Sequence, residues 1–396
     1  MRRDRRRIVI LAYVLLFAGG GVWMPYFPLY LSHLGFTGWQ VGMIFGLQPA
    51  LRWTSAIGWA YAADRWRIRH QLLVGAAIAG ALCFLGLLVV RSFAMVLAVT
   101  AAIALLHAPL IPMVDAAVMD HLERLGGDYG RLRMWGSIAF VAFAVIGAPL
   151  VHAFSVQIVP LVLLLPLPAM VIALARLPRE QRGHAKHFRA PWALLTPPLT
   201  AFLASAFLIQ LSCGAFSGFF ALHTAALGLS DAVPGLAWGC AVAAEVAILF
   251  AGGRILERVT PSQLVIVSLL VSATRWAITA WARDQTLVVL LQMTHAFTFG
   301  AFHLAALLLL SRLVPPESST GGQALYGLVA FGIGGSSGLA LAGALVDRIG
   351  TAGVFGFEAG VTLLGLVPAL WLHRLMRKTE IAVATVARPR RVAAGG

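Results

Sequence analysis

The sequence predicts an all-α polytopic membrane protein, with twelve transmembrane helices arranged as two pseudo-symmetric six-helix bundles. Three observations carry that expectation. Of 396 residues, 60% are hydrophobic and only 11% are charged, a balance that cannot coat a soluble globule. Apolar runs of about 20 residues or more recur along the chain, each long enough at about 1.5 Å per residue to cross roughly 30 Å of hydrocarbon. One long polar interruption, Arg176 to Ala193, divides these runs into two sets of six. Barrel strands would alternate over short segments, so the continuous runs are read as helices.

The first span is read at 8–31. The basic start Met1-Arg2-Arg3-Asp4-Arg5-Arg6-Arg7 could open a signal peptide. The apolar stretch behind it is too long, and no small-residue cleavage pattern follows, so a retained span is expected. Five more spans follow at 38–62, 71–90, 93–118, 132–154 and 156–175, and the second set is read at 197–224, 234–255, 262–282, 286–310, 322–345 and 352–373. These give a first bundle over 1–175, a central cytoplasmic loop over 176–196, a second bundle over 197–376 and a basic cytoplasmic tail over 377–396. Pro25 and Pro28 in the first span, and Pro109 and Pro112 in the fourth, free backbone carbonyls and bend helices. Glycine clusters at Gly19-Gly20-Gly21 and Gly332 to Gly338 allow backbones to approach closely. A weak internal repeat pairs Trp135-Gly136 and Ala139-Phe140 with Tyr326-Gly327 and Ala330-Phe331.

Basic residues concentrate in every second loop. Arg65, Arg67 and Arg69 follow span 2; Arg124, Arg131 and Arg133 follow span 4; Arg176, Arg179, Arg182, Lys186 and Arg189 follow span 6. The intervening connections carry only Arg91, Arg283 and Arg348, so both termini are expected in the cytoplasm of an inner-membrane protein. The formal charge of +15 is then an orientation signal and not a nucleic-acid footprint. The tail residues Arg388, Arg390 and Arg391 are expected to meet anionic membrane lipids or nothing. Cys83, Cys213 and Cys240 lie within spans without paired spacing, no His or Cys pair has metal-ligand spacing, and no Gly-rich phosphate loop is present. Disulfides, a metal, ATP and any other cofactor are therefore not expected.

Ionisable residues inside spans are costly and mark substrate or ion pathways. Glu245, Arg275 and His295 occupy three consecutive spans. Each is read as 8 to 11 residues from the outer face, about 12 to 17 Å, which predicts one hydrogen-bonded cluster at one level. Arg52, in the middle of span 2, needs either Asp115 or a bound organic anion as its partner. Asp115 and Arg133 stand near the inner ends of spans 4 and 5. His107 and His303 read as helix–helix hydrogen bonders, and Gln48, Gln210 and Gln292 either line a path or bridge helices. Glu358, close to the outer end of span 12, reads as a local interfacial residue. Trp23, Tyr26, Phe27 and Tyr30 are expected in the core, with offset contacts to a substrate ring as the alternative.

The loop Ala60-Tyr61-Ala62-Ala63-Asp64-Arg65-Trp66-Arg67-Ile68-Arg69 resembles the signature of the major facilitator superfamily between its second and third helices, with Ala60 and Arg67 where that signature usually has Gly. Its gating residues would be Asp64 and Arg65. Four further stretches resemble the phenylpropionate-permease branch, which is similar to lactose-permease-type proton symporters. They are Gly21-Val22-Trp23-Met24-Pro25-Tyr26-Phe27-Pro28, Pro109 to Asp115, Asp128-Tyr129-Gly130-Arg131-Leu132-Arg133-Met134-Trp135-Gly136-Ser137, and Thr274-Arg275-Trp276 with His295-Ala296-Phe297-Thr298-Phe299.

The resemblance implies two bundles rocking about a central site, with helices 1, 4, 7 and 10 lining the cavity. It also implies that Glu245 and Arg275 form a buried pair and that His295 lines the cavity, in substrate contact and proton coupling. Asp115 and Arg133 match the separation of a substrate-binding Glu and Arg, although Asp115 is one methylene shorter and Phe140 replaces a sugar-stacking Trp. Thr298 stands where such permeases place a second carboxylate, which leaves Glu245 as the proton acceptor of the second half, or else half of a fixed pair orienting helix 8 against helix 9.

The expected function is proton-coupled symport of a small organic acid, an aromatic one such as a phenylpropionate, because Arg52, Arg133 and Arg275 outnumber Asp115 and Glu245. The alternatives are a sugar or nucleoside permease, a drug/proton antiporter, hinted at by Gly147-Ala148-Pro149, and a membrane receptor or structural protein. A monomer without enzymatic activity is expected in each case.

Overall fold

A computed structural model describes residues 2–125, 128–177 and 191–387; Arg179, Arg182, Lys186, Arg189 and the tail arginines Arg388, Arg390 and Arg391 lie outside the described residues. Among the described residues every regular element is helical. Ten stretches have the length and apolarity to cross a membrane. The last of them, Pro316–Lys378, holds two spans, because Gly350 leaves helical geometry at φ 69° and ψ 169°. The 29-residue helix Gly38–Trp66 has the length for a twelfth.

In chain order the spans are α1 (Arg2–His33), α2 (Gly38–Trp66), α3 (Arg69–Gly86), α4 (Phe93–His107 continuing as Leu110–Leu125), α5 (Tyr129–Phe154) and α6 (Val156–Ala175). The second set is α7 (Pro197–Leu211 continuing as Gly214–Ala226), α8 (Ala232–Phe250), α9 (Pro261–Trp281), α10 (Gln285–Leu313), α11 (319–349) and α12 (351–387). Read as twelve crossings, these put the start of α1 and the end of α12 on one side, here the terminal face; the other is the far face.

Local chemistry sets several of these ends. Thr37 and Gln40 form a reciprocal capping box at the start of α2, and Thr260 and Gln263 repeat it at α9, where Pro261 occupies the first turn. α2 ends at Arg67 in the left-handed region, φ 55° and ψ 33°. A glycine adopts that conformation without Cβ strain, so the Arg at this signature position carries a cost of roughly 1 kcal/mol. The prolines of α1 leave it helical throughout, whereas α4 is interrupted just before Leu110.

Among the described residues the two halves meet chiefly over the part of the membrane nearest the far face. α2 presents Gly38, Gly42 and Gly46 at four-residue spacing to α11, and a Cβ on Gly42 would lie 2.7 Å from the Gly343 Cα. Small residues at that spacing let two backbones touch, which is how helices associate where lipid removes the hydrophobic drive. At the end of this seam Asp347, on α11, accepts hydrogen bonds from the Gly38 and Trp39 amides, at 2.9 and 3.2 Å, and so caps α2 from the opposite half. His152 of α5 faces Asp231 at 3.4 Å across the second seam, α5 against α8. In the loop expected to gate, Asp64 binds Arg69 at 2.6 Å and Arg65 is exposed.

Packing follows the same division. One buried apolar cluster runs through the first six spans and takes in Phe216, Trp238, Trp276, Leu339 and Phe355 from the far-face parts of α7, α8, α9, α11 and α12. The other, with Phe202, Leu264, Phe302, Tyr326 and Leu372, belongs wholly to the second half and lies toward the terminal face. Trp53 of α2 stacks on Phe331 of α11, ring centroids 5.8 Å apart, roughly 22 Å along α2 from its far-face end. Beyond that contact Leu110–Leu125 of α4 and Phe302–Leu313 of α10 pack chiefly within their own halves, so that among the described residues the two halves separate toward the terminal face.

Asp347 is therefore expected to hold the far face shut. In a background lacking the native cysteines, a Leu339→Cys reporter, 5% exposed in the seam, should react slowly with a membrane-impermeant thiol reagent applied to the far face. Adding Asp347→Asn should speed that reaction; an unchanged rate would show that the cap does not contribute to closure.

Candidate functional site

α9 carries Arg275 into the membrane six residues before its end, and the side chain is only 1% exposed. Two aromatic rings flank the guanidinium, Phe216 of α7 and Trp276, each with its ring centroid 4.2 Å from Cζ and the two centroids 5.9 Å apart. Arg275 Nε and Nη2 both donate to Gln292 Oε1, at 2.9 and 2.7 Å, and Nη1 donates to Thr298 Oγ1 at 3.3 Å. Gln292 is held in turn by its own amide, which donates to the Val288 carbonyl at 3.0 Å. A buried guanidinium must spend its donors, and these neutral acceptors on α10 receive them.

Arg275 Nη1 also lies 3.0 Å from His295 Nδ1. An arginine has only donors, so Nδ1 must accept, and the imidazole proton then resides on Nε2. Nε2 points at Glu245 Oε2 of α8, 3.9 Å away. The order is therefore Arg275, His295, Glu245. No direct Glu245–Arg275 contact forms within 4 Å, which corrects the expected buried pair: Gln292 and His295 intercept the guanidinium first. Nor are the three level. Counted from the far-face ends of α9, α10 and α8, they sit about 9, 15 and 20 Å deep, a descending ladder.

The backbone of α10 departs from an α-helix at this point. Gln292–Thr294 is a 3₁₀ turn, and Ala296–Ala301 is a π-turn, a form common at functional sites. Within the π-turn a Cβ on Gly300 would lie 3.2 Å from Glu245 Cγ, so a glycine is what lets α10 approach α8 at the carboxylate. His295 is enclosed by Phe216, Trp238 and Phe299, with centroids at 5.5, 6.2 and 5.9 Å. Glu245 is less enclosed, its side chain 20% exposed against 10% for His295, and it stands between the buried part of the ladder and the cleft.

The first half supplies the opposite wall. Arg133 of α5 lies over Phe17 of α1, 3.9 Å from Cζ to centroid, with Tyr13 at 5.6 Å, and is within electrostatic reach of Glu245. Arg133 makes no hydrogen bond or ion pair among the described residues. Asp115 accepts a 2.6 Å hydrogen bond from the Tyr13 hydroxyl. It does not pair with Arg52, which is exposed and makes no hydrogen bond or ion pair among the described residues; the expected Arg52–Asp115 partnership is replaced by Tyr13. Phe140, half-buried, reaches across the seam to Trp238 at 6.0 Å. Trp23, Tyr26, Phe27 and Tyr30 lie in the apolar core.

Glu358 was expected at a local interface and is instead buried at 2% exposure, bonded to the Ala215 amide of α7 at 2.6 Å. Tyr13 and Phe17 were not singled out, although their four-residue spacing places them on one face of α1. Phe216 and Trp238 carried no signal that separates them from other apolar-span aromatics.

Replacing Gln292 by Leu removes the acceptor shared by two Arg275 donors. Unsatisfied buried polar groups cost about 1–3 kcal/mol each, so Gln292→Leu should lower the detergent-solubilised unfolding temperature by several degrees. A variant as stable as the parent would mean that Gln292 does not hold Arg275.

Comparison with known proteins places this geometry. The sequence profile of the MFS_1 like family matches residues 8–357. The "Probable 3-phenylpropionic acid transporter" of Escherichia coli (strain K12) is 27% identical over 378 residues, covering 93% of this chain and 97% of that one. The maltose permease of Geobacillus stearothermophilus is 27% identical over 389 residues, covering 94% and 96%. Among solved structures, the nucleoside transporter NupG superposes with a TM-score of 0.82 at 15% identity, covering 93% and 99%. An inward-facing, unoccupied bacterial homologue of the human lysosomal transporter Spinster does so at 0.71 and 13%, covering 94% and 95%. Ten membrane-length apolar stretches among the described residues and a profile match over most of the chain lead to one assignment: the chain belongs to the MFS_1 like family and is a multi-pass membrane transporter of the major facilitator type, not an enzyme.

Proposed function

We propose that this transporter moves a small organic acid, an aromatic carboxylate of the phenylpropionate kind, together with a proton across the inner membrane. With the basic loops on the cytoplasmic side, the terminal face is cytoplasmic and the open cleft faces the cytosol. The bundles 1–175 and 197–376 then rock about the central charges, and the Asp347 cap and glycine seam separate when the cleft closes.

The observation that carries the substrate class is Arg133. Its guanidinium is held flat by Phe17 while its donors stay unspent, the state in which a fork of N–H groups binds a carboxylate bidentately. Arg52 offers a second guanidinium with unspent donors. Phe140 and Trp238 supply aromatic surface for a ring beside them. Glu245, across from Arg133 and next to His295 Nε2–H, is the proton site. The occupied site then crosses with its charges matched, the substrate carboxylate on Arg133 and the proton on Glu245. The name of the Escherichia coli relative supports the acid. The maltose permease is equally similar and favours a second reading, a sugar whose hydroxyls meet Asp115 and Glu245.

Uptake of labelled 3-phenylpropionate and maltose into proteoliposomes under an imposed pH gradient separates the two. The acid should accumulate and maltose should not; accumulation of maltose alone would replace the first reading by the second. Losing a charged hydrogen bond costs about 1.5–3 kcal/mol, so Arg133→Gln should weaken acid binding roughly tenfold or more. Glu245→Gln should abolish substrate-driven alkalinisation of the medium, and undiminished alkalinisation would remove Glu245 from the proton step.

A further inference from the structure

Asp115 and Arg133 carry opposite charges, approach the same side chain and do not pair. That side chain is Tyr13 of α1, fully buried in the first bundle. Its hydroxyl donates to Asp115 Oδ1 at 2.6 Å, and its ring centroid lies 5.6 Å from Arg133 Cζ, within cation–π range. The carboxylate thus sits at the tip of the ring whose body neighbours the guanidinium. An arginine arm spans such a gap, and a guanidinium beside a carboxylate ordinarily closes on it as a two-pronged ion pair.

Two features of the chain keep the pair open. A buried phenol needs an acceptor, and Asp115 is the acceptor Tyr13 bonds; moving the carboxylate onto Arg133 would strand the hydroxyl. One turn further along α1, Phe17 takes the guanidinium, with its ring centroid 3.9 Å from Cζ. Gly136 of α5 makes room for that arrangement, because a Cβ there would stand 2.8 Å from Phe17 Cδ2 and 3.2 Å from Arg133 Nη1. α1 therefore offers a hydroxyl to the carboxylate and a ring face to the guanidinium from neighbouring turns. Arg133 is left half-buried with its donors unspent, so an arriving carboxylate meets a cation and not a neutral pair.

We propose that Tyr13 is a positioning residue that sets specificity: by occupying Asp115 it keeps Arg133 unneutralised, and the site selects a carboxylate over a neutral solute. The selection rests on the reading of Arg133 as the carboxylate site; the separation of Asp115 from Arg133 by Tyr13 does not.

The test joins a substrate-free stability cycle to a binding measurement, both on the full-length protein in detergent. Tyr13→Phe keeps the ring and removes the hydroxyl, which frees Asp115 to close on Arg133. In the parent, the losses in unfolding temperature from Asp115→Asn and Arg133→Gln should add. In the Tyr13→Phe background the loss in the combined variant should fall clearly short of the sum. Losses that add in both backgrounds, or that already fall short of the sum in the parent, would reduce Tyr13 to a tie between α1 and α4 and overturn the proposal. Labelled 3-phenylpropionate should bind Tyr13→Phe roughly tenfold more weakly than the parent, and adding Asp115→Asn should bring binding back to within about twofold. Removing the carboxylate would not rescue a tyrosine whose role is only structural, so unchanged binding in Tyr13→Phe, or no rescue, overturns the specificity role. If Tyr13→Phe alone does not fold, a folded Tyr13→Phe/Asp115→Asn protein that binds like the parent supports the proposal, and its absence or weakened binding overturns it. If the parent itself binds no 3-phenylpropionate, the substrate assignment falls, while the stability cycle still decides whether Tyr13 separates the two charges.

Discussion

The cost of keeping one guanidinium in hydrocarbon organises the second half of the molecule. Arg275 cannot shed its proton and cannot reach water, so the surrounding helices are committed to it: α7 gives an aromatic face, α10 gives Gln292, His295 and Thr298, and α9 gives Trp276. Once Nδ1 of His295 is taken as an acceptor, the tautomer is fixed and the proton sits on Nε2, 3.9 Å from Glu245 of α8. Glu245 receives the end of a chain of obligations that begins on a different helix. Polarity thus leads from the driest point of the bundle to the cleft wall.

The cleft exists because the two halves are joined along only part of their length. Glycine at Gly42 and Gly343 brings α2 and α11 into backbone contact near the far face, and Asp347 completes the first turn of α2 with oxygens from the other half. Toward the terminal face the second half has an apolar cluster of its own and does not depend on the first half for packing. Parting the seam would leave that second cluster whole and would separate Phe216, Trp238, Leu339 and Phe355 from the first-half residues they are buried with, so the far face is where the cost of opening lies.

Depth was legible in the sequence, and direction around the helix was not. Apolar length located the spans, and the rarity of charge inside them singled out Glu245, Arg275 and His295, which the structure does bring together. The expected Glu245–Arg275 pair failed because two residues of similar depth can face each other or face different neighbours, and Gln292 stood closer. Glu358 was misjudged for a related reason: its partner is the gap in α7, and nothing in Gln210-Leu211-Ser212-Cys213-Gly214 announces that gap by composition. Asp347 was unreadable in the same way, since the amide it caps lies 309 residues away. At Arg67 the sequence showed a departure from the signature's usual glycine, and only the structure shows that the position is left-handed.

The π-turn in α10 holds one more residue than an α-turn would, directly after His295. Such a surplus can migrate along a helix by exchanging one hydrogen-bond register for the next, with no residue added or lost. If it moved toward the terminal face, the segment it crossed would swivel by about 100° while the part before it stayed still. Phe299 and His303, which now stack on each other beside Phe331, would be carried round the helix axis as the Arg275–His295 contact remained in place. The helix thus contains a joint that can turn its aromatic wall independently of its polar anchor.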